Sequence, residues 1–359
     1  MGAPDPSQPR GSNFVTSLSG PRRAPSVADV ARAAGVSMQT VSRVSNGLNN
    51  VQADTKRRVE EAMDLLGYRP NWAARSLRSG RFNTIGVITF TLSSFGNMRT
   101  IESIAAAAAA ADYAITLMSA AHRTQSDVVM AFARLRQQAV DGVIAVIESH
   151  ILDEADLTFP EGLPVVIVDS ANRPDRSLVD TDQAQGARLA TEHLLSLGHE
   201  TVWHISGPSG SFSSERRKQA WRETLLAANR TVPEPLQGDW TADSGYELGK
   251  EIARNGDVTA VFASNDQMAL GLLRACHEIG RPVPRSLSVV GFDDMQESDQ
   301  FWPPLTTVHQ HFDEVGRASI RSLMSAIDGD HTPVQVVVPT RLVVRESTAA
   351  PTRPTGAAQ

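Results

Sequence analysis

The chain has 359 residues, of which 41% are hydrophobic and 21% charged, with a formal net charge of −6. This length accommodates two or three domains of ~100 to 200 residues each, and no apolar run approaches the ~20 residues of a membrane span, which excludes an integral membrane protein. The single cysteine, Cys276, excludes an internal disulfide, and the sequence has no paired Cys/His spacing of a zinc site. These features predict a protein of the reducing cytoplasm.

The charge is unevenly distributed. Between Arg22 and Arg81 there are eleven basic and five acidic residues, a charge of +6, so the remainder of the chain carries −12. A basic head on an acidic body favours a polyanionic partner for the head. The Pro-, Gly- and Ser-rich residues 1–24 lack the apolar segment of a secretory signal and predict a disordered leader.

The stretch SVADVARAAGVSMQTVSRVSNG predicts two short helices joined by a turn. Ser26 suits the start of the first helix, Gly35 ends it, and Ser37 can cap a second helix from Met38 to about Ser45. A third helix is predicted from about Asp54 to Leu66. This arrangement over residues 25–69 is typical of a helix-turn-helix, whose second helix enters the DNA major groove.

The predicted second helix places valines towards a core and polar side chains outward. Gln39 and Arg43 are able to read adenine and guanine edges, whereas Thr40 and Ser42 suit phosphate contacts. The alternative is a helix-turn-helix shape without a DNA function. Residues 70–81, PNWAARSLRSGR, predict a hinge whose short helix is marginal by itself.

From Thr84 onward, apolar strands alternate with helices, which predicts parallel sheets covered on both faces. About 260 residues of this pattern favour two doubly wound lobes. The predicted strands are TIGVITF, YAITLMS, DGVIAVI, LPVVIVD, TVWHIS, AVFAS and LSVVGFD. The predicted helices are the Ala-rich segment after the first strand, about Met130 to Gln138, Gln183 to Leu197, Ser214 to Ala228 and Met268 to Ile279.

Polar residues follow several of these strands, where ligands of open α/β folds bind. Asp169, Asn265 and Asp293 occupy such positions. Arg217 offers a planar fork of donors, and Trp240 offers a flat apolar face, so together these residues suit the hydroxyl rim and C–H faces of a sugar. The alternatives are that Asn265 and Asp293 only cap helices or turns and that Trp240 belongs to the core.

Nine motifs resemble, in the same order, the lactose/galactose repressor family of bacterial transcription regulators. They are VADVARAAGVSMQTVSRVSNG, VQADTKRRVEEAMDLLGYRPNWAARSLRSGR, IGVI, TEHLLSLGHETVWHISGP, RRKQAW, GDWTADSGY, SNDQMALG, SVVGFDD and PPLTTVHQHF, of which the second spans both head and hinge. The resemblance implies an α/β fold: an N-terminal all-α helix-turn-helix head and a two-lobed periplasmic-binding-protein-like sensor of doubly wound parallel sheets. It also implies a sequence-specific repressor, not an enzyme, that a small sugar releases from its operator.

The resemblance assigns residues to both sites. The implied DNA-binding set is Ser26, Ser37, Met38, Gln39, Thr40, Ser42, Arg43, Asn46, Asn71, Ala74 and Leu77, in which Leu77 wedges into a minor-groove step. The implied effector-binding set is Asp169, Arg217, Trp240, Asn265, Asp293 and Phe312. The chain departs from the family at Val146, where a relative has a polar amide, and in the loop TLSSFGNM, so the first lobe's contribution stays open.

The resemblance further implies an effector-binding and dimerisation domain over residues 82–348. Its first lobe takes in about 82–181 and 312–339, its second about 182–308 and 340–348, and a flexible tail covers 349–359. The expected partners are palindromic double-stranded operator DNA, a second copy of the chain, and a mono- or disaccharide effector, with a galactoside-like ligand favoured; no membrane, metal or cofactor is expected. The tail lacks leucine heptads, which predicts a dimer without a tetramerising coiled coil.

The sequence leaves three other interpretations open. A sugar-binding transport protein shares the two-lobed fold, but it would need an export signal. Asp293 and Asp294 suggest a glycosidase pair, although adjacent residues on a turn rarely point the same way. His309 and His311 form an H-x-H pair without evident further ligands, which favours structural roles over a metal site.

Overall fold

The computed structural model describes residues 25–45, 51–69, 80–120, 124–147, 162–168 and 176–352. The chain divides into two compact units, residues 1–80 and 81–359, which are called the head and the body. The predicted leader 1–24, nearly all of the predicted hinge 70–81 and residues 353–359 lie outside the described residues.

The described part of the head contains three helices, α1 (Val27–Ala34), α2 (Met38–Ser45) and α3 (Ala53–Leu66). All three were predicted, and their bounds agree with the predictions to within one residue. Their apolar residues recur every three or four positions and meet in one small core, in keeping with helical periodicity. The buried members of this core are Val30, Ala31, Ala34, Val41, Val44, Val59 and Ala62.

The body begins with alternating strands and helices that form a first lobe: β1 (Thr84–Thr89), α4 (Phe95–Ala110), β2 (Ala114–Ser119), α5 (Gln125–Gln137), β3 (Gly142–Val146), β4 (Val165–Val168) and β5 (Ser177–Thr181). A second lobe follows: α6 (Gln183–Ser196), β6 (Trp203–Ser206), α7 (Phe212–Ala227), β7 (Leu236–Gln237), α8 (Ala242–Arg254), β8 (Ala260–Ala263), α9 (Asp266–Glu278), β9 (Ser288–Asp293) and β10 (Thr306–Gln310). The last elements are α10 (Phe312–Ile327), β11 (Gln335–Val338) and β12 (Thr340–Val343).

The body has two six-stranded sheets, ordered β11-β5-β4-β3-β1-β2 and β12-β10-β9-β8-β6-β7. Every pairing is parallel except that of β10 with β12. The chain therefore crosses between the lobes three times: between β5 and α6, between β10 and α10, and between β11 and β12. The parallel doubly wound sheets that the sequence predicts are confirmed.

Each sheet is covered on both faces, so its central strands are apolar on both sides. In β1, Ile85 and Val87 join one cluster of buried residues, and Ile88 joins the cluster on the opposite face. The second sheet divides its side chains in the same way, with Val289 on one face and Val290 and Phe292 on the other.

Some bounds and elements differ from the predictions. The helix predicted from Met130 begins at Gln125, because the Thr124 hydroxyl accepts a hydrogen bond from the Asp127 amide at 3.2 Å and so caps an earlier turn. Seven elements of the body were not predicted: β5, β7, α8, β10, α10, β11 and β12. Most of these strands are short or carry polar residues, which weakens the apolar signal of a buried strand.

Candidate DNA-contacting helix and effector cavity

The start of α1 is fixed by a capping box. The Asp29 amide donates to the Ser26 hydroxyl at 3.4 Å, while the Ser26 amide donates to Asp29 Oδ2 at 2.9 Å. The same carboxylate accepts from the Ser26 hydroxyl at 2.7 Å, and these hydrogen bonds hold the pKa of Asp29 below its usual range. The Ser26 side chain, predicted to contact DNA, thus also orders the head.

The turn between α1 and α2 is held by a residue that the sequence analysis missed. Gly35 adopts φ 65°, the left-handed conformation that glycine tolerates best. Arg58, on α3, donates from Nη2 to the Ala34 carbonyl and reaches the Gly35 carbonyl at 3.4 Å. These bonds satisfy carbonyls at the end of α1 and tie the turn to α3.

The outer face of α2 is polar and accessible. Met38 is 59% exposed, and Gln39 and Arg43 are also exposed, whereas Thr40 and Ser42 are half-buried. Ser37 caps this helix, since its hydroxyl accepts from the Thr40 amide at 3.1 Å. Of the other predicted DNA-binding residues, Asn46, Asn71, Ala74 and Leu77 lie outside the described residues.

A cavity lies between the two lobes of the body, beside the crossings that follow β5 and β10. Its volume is about 50 Å³. Five of the six residues predicted to bind an effector line it: Arg217, Trp240, Asn265, Asp293 and Phe312. The sixth, Asp169, lies outside the described residues. The structure thus brings together predicted residues from five different elements or their ends.

Arg217, on α7, is buried and held from several sides. Its Nε donates to Gln183 Oε1 at 2.8 Å, and its Nη1 donates to the Ser264 carbonyl. The guanidinium lies over the Phe292 ring, 3.7 Å from the centroid, a cation–π contact. These contacts fix the plane of the guanidinium before any ligand binds.

Asp293, at the end of β9, is the acidic partner in this cavity. Its Oδ1 lies 3.8 Å from Arg217 Nη1 and accepts from Gln310 Nε2 at 2.7 Å. Burial raises the pKa of Asp293 to about 6, although the Arg217 charge and the Gln310 hydrogen bond both oppose this rise. Asp293 also has φ 114°, and such strain in a non-glycine residue is concentrated at functional sites.

Asn265 and Trp240 are connected. Asn265 caps α9 by accepting from the Met268 amide at 2.8 Å, and its Nδ2 donates to the Trp240 carbonyl at 2.9 Å. Asn265 therefore caps a helix, but capping is not its only role in the structure, because the residue also lines the cavity. Trp240 has φ 75°, and a Cβ on Gly207 would lie 2.3 Å from its ring, so only glycine at 207 leaves room for the indole.

The first lobe contributes both polar and apolar residues to the cavity wall. Phe312 packs edge-on against Phe95 with 6.1 Å between ring centroids. Val146 does line the cavity, as an apolar surface. The remaining first-lobe lining residues are Ser94, Gly96, Asn97, Thr100, Val168, Asp180, Thr181 and Val315.

Three important lining residues were missed in the sequence: Gln183, Gln310 and Asp180. The two glutamines orient Arg217 and Asp293. Asp180, on β5, is 2% exposed and bonds to Arg216 of α7, so it links the two lobes. Gln310 precedes Phe312 within the quoted motif PPLTTVHQHF and could have been found there, whereas the Asp180–Arg216 pair joins distant segments and carries no local signal.

The residues behind two alternative interpretations have other partners. Asp294 accepts from Arg345 Nη2 at 2.7 Å and lies 2.8 Å from His309 Nδ1, whereas Asp293 contacts Arg217 and Gln310. The adjacent carboxylates thus have separate partners and do not form a glycosidase pair. Within the described ranges, no group of three or more His, Cys, Asp or Glu residues could hold a metal ion.

Comparisons with known proteins decide the family. Residues 26–71 match the model described as bacterial regulatory proteins, lacI family, and residues 191–348 match a periplasmic binding protein-like domain. The chain is 34% identical to the lactose operon repressor of Escherichia coli (strain K12) over 329 residues, which are 90% of each protein. The chain belongs to the lacI family.

Other members of the lacI family agree over similar lengths. The HTH-type transcriptional regulator CelR of Thermobifida fusca is 35% identical over 349 residues, covering 91% of this chain and 99% of that protein. Among solved structures, a lac repressor dimer bound to operator and the anti-inducer ONPF is 32% identical with a TM-score of 0.81, covering 91% of this chain and all of that one. A CelR–cellobiose complex gives a TM-score of 0.67 at 32% identity.

Membership of the lacI family makes this chain a sequence-specific DNA-binding transcriptional regulator, not an enzyme. The two-lobed fold and the helix-turn-helix head predicted from the sequence are confirmed. Among the described residues, none of the helices combines the length and the apolar character needed to cross a bilayer.

Proposed function

We propose that this chain is a cytoplasmic repressor that binds a palindromic operator as a homodimer and leaves it when a small sugar enters the cavity of the body. The observation that carries the effector assignment is the buried Arg217–Asp293 pair, fixed by Gln183 and Gln310 and accompanied by the Trp240 ring. The CelR–cellobiose complex and the lac repressor bound to ONPF support a sugar-like ligand.

This arrangement suits a sugar for chemical reasons. Two adjacent hydroxyls of a pyranose can bond at once to a guanidinium, which donates, and a carboxylate, which accepts. The Trp240 ring offers an apolar surface for the C–H face of the sugar. Asn265 and Phe312 complete the described part of the proposed site, and Asp169 is proposed as a further contact.

The proposed DNA contacts lie in the head and the hinge. Met38, Gln39 and Arg43, exposed on α2, are proposed to contact base edges. The remaining predicted contacts are proposed to position the head on the duplex: Ser26, Ser37, Thr40, Ser42 and Asn46. In the hinge, Leu77 is proposed to wedge into the minor groove, with Asn71 and Ala74 in the same groove.

The small cavity explains how a sugar could act at a distance. An apolar cavity of ~150 Å³ binds one benzene molecule, whereas this cavity measures about 50 Å³. A pyranose is larger than benzene, so it must move the cavity walls apart, and these walls belong to different lobes. An effector that favours the rearranged lobes over the DNA-bound arrangement shifts the equilibrium away from the operator.

The test uses the full chain and requires no known operator. A double-stranded library with a randomised palindromic core is selected for binding, and the selected duplex is then titrated by fluorescence anisotropy with and without a panel of mono- and disaccharides. We expect one sugar to raise the apparent Kd for DNA and to raise the melting temperature of the free protein, since a ligand at 100 times its Kd stabilises by ~2.7 kcal/mol.

The variant Asp293→Asn and the exposed-site control Asp299→Asn separate the two functions. We expect Asp293→Asn to retain operator binding and lose the sugar response, while Asp299→Asn keeps both. Retention of a normal response by Asp293→Asn would remove this residue from the effector site. The absence of any selected duplex would refute operator binding altogether.

A further inference from the structure

One polar atom in the cavity wall lacks a hydrogen-bond partner within the described part of the chain. The hydroxyl oxygen of Ser94, which lines the cavity at the start of α4, is buried and has no hydrogen-bond partner among the described residues. Ser94 occupies the cap position of α4, yet its side chain makes no capping bond. Thr124, Ser211, Thr241 and Asn265 all cap their helices through side-chain oxygens.

An unsatisfied buried hydroxyl is uncommon because its lost hydration is not replaced. The Ser94 hydroxyl can be satisfied by a group that enters from the cavity and accepts or donates one hydrogen bond. A ligand hydroxyl fits this requirement, whereas an alkyl or aryl group would leave the serine unpaired.

Asn97, one turn further along α4, adds to this polar wall. It is 4% exposed and lines the same cavity. Within the described ranges its side chain makes one long hydrogen bond, from Nδ2 to the Thr91 carbonyl at 3.4 Å. The neighbouring Thr100 differs, because its hydroxyl donates to the Gly96 carbonyl at 2.8 Å and is already satisfied.

The charged groups around the cavity indicate a neutral ligand. Asp180 bonds to Arg216, and Asp293 lies beside Arg217, so each cation is already matched by a buried carboxylate. A phosphorylated sugar would bring negative charge towards two carboxylates without a surplus cation from the described lining residues. A neutral, hydroxylated molecule avoids this repulsion.

We infer that Ser94 and Asn97 form a second polar subsite, and that the effector is therefore an uncharged disaccharide whose second ring bonds to this wall. The inference rests on the proposed function, in which the Arg217–Asp293 side of the same cavity takes the first ring. A glycoside with an alkyl or aryl group in place of the second ring satisfies only the first subsite.

The experiment compares ligands that share a first ring. Binding to the full chain is measured by calorimetry, and operator release by anisotropy, for matched sets: cellobiose with methyl and 4-nitrophenyl β-glucoside, lactose with methyl and 2-nitrophenyl β-galactoside, and maltose with methyl α-glucoside. For the set that binds, we expect the disaccharide to bind about 10-fold more tightly than either glycoside, since one or two neutral hydrogen bonds are worth this much.

Two variants test whether Ser94 is responsible for the tighter binding of the disaccharide. Ser94→Ala removes an atom that bonds to no described residue of the free protein, so its melting temperature should equal that of the parent. We expect this variant to weaken disaccharide binding about 3- to 10-fold and to leave methyl glycoside binding unchanged. Ser93→Ala, at the exposed neighbouring serine, is the control and should change neither.

The outcomes distinguish the two proposals. If a nitrophenyl glycoside binds as tightly as its disaccharide, or if Ser94→Ala weakens both ligands equally, the second subsite is wrong while the effector function stands. If no sugar of either kind binds or releases the operator, the proposed function fails and the subsite fails with it. The comparison of ligands on the parent chain decides the question even if a variant folds poorly.

Discussion

Replacing Arg217 with methionine removes the only guanidinium that lines the cavity among the described residues. It leaves the Ser264 carbonyl and Gln183 Oε1 without this donor, and it removes the positive charge 3.8 Å from Asp293. Breaking a buried ion pair from one side costs ~3 to 5 kcal/mol. At ~2 to 4 °C per kcal/mol, the expected fall in melting temperature of the body is about 6 to 20 °C.

The loss should also depend on pH. Burial raises the pKa of Asp293 from 3.8 to about 6, and Arg217 limits that rise. A carboxyl whose pKa is raised by folding keeps its proton in the folded state, so stability falls as pH increases from the unfolded to the folded pKa. Without Arg217 the folded pKa is higher still, and the fall with pH becomes longer and deeper.

Thermal unfolding followed by circular dichroism at pH 5, 6.5 and 8 measures this effect. The control is Arg222→Met, which truncates an exposed arginine on the same helix, α7. We expect Arg217→Met to lose more stability at pH 8 than at pH 5 and the control to lose little at either. An equal loss at both pH values would show that the charge of Asp293 is not what Arg217 compensates, and the reasoning would fail.

Three further variants test other parts of the structure. Burial and the nearby Asp293 charge raise the pKa of Asp266 to about 7, so the stability of the parent protein should fall between about pH 4 and 7. Asp266→Asn should flatten this fall in the same thermal unfolding experiments. An unchanged dependence of stability on pH would contradict this prediction. Arg43→Ala should relax base preference by ~1 to 3 kcal/mol at one operator position in a binding selection, whereas an unchanged preference removes Arg43 from the base contacts. Gly207→Ala should displace the Trp240 ring and weaken sugar binding, while operator affinity stays at the parental value. If the variant bound sugar with parental affinity, Trp240 would not contact the sugar.

Much of the fold could be predicted because its signals are local. Ser26 and Gly35 mark both ends of α1 by helix-terminal chemistry that involves only neighbouring residues. Strands such as β1 and β9 are continuous apolar runs, since both of their faces are covered. The helix α10 also had a usable signal, because Phe312, Val315 and Leu323 fall on one face of a helix and are buried, yet it was not predicted.

Other features could not be predicted because they depend on distant segments. β5, SLVDT, carries Asp180, whose buried carboxylate is compensated by Arg216 from the other lobe and by the Thr181 amide. Nothing within a few residues of Gln183 indicates that it orients Arg217. Ser94 illustrates the limit most clearly, since a serine before a helix normally predicts a cap, and here its oxygen is buried without one.

The threefold passage of the chain between the two sheets has a consequence for protein engineering. Neither lobe corresponds to one continuous stretch of the gene, and β11 and β12, adjacent in the chain, complete different sheets. A chimaera that exchanges sensors between regulators must therefore transfer the whole of residues 81–352 as one cassette. A junction between β6 and β11 mixes parental strands in both sheets, and any other junction between β1 and β12 mixes them in one sheet, so recombination within this range disturbs folding as well as ligand preference.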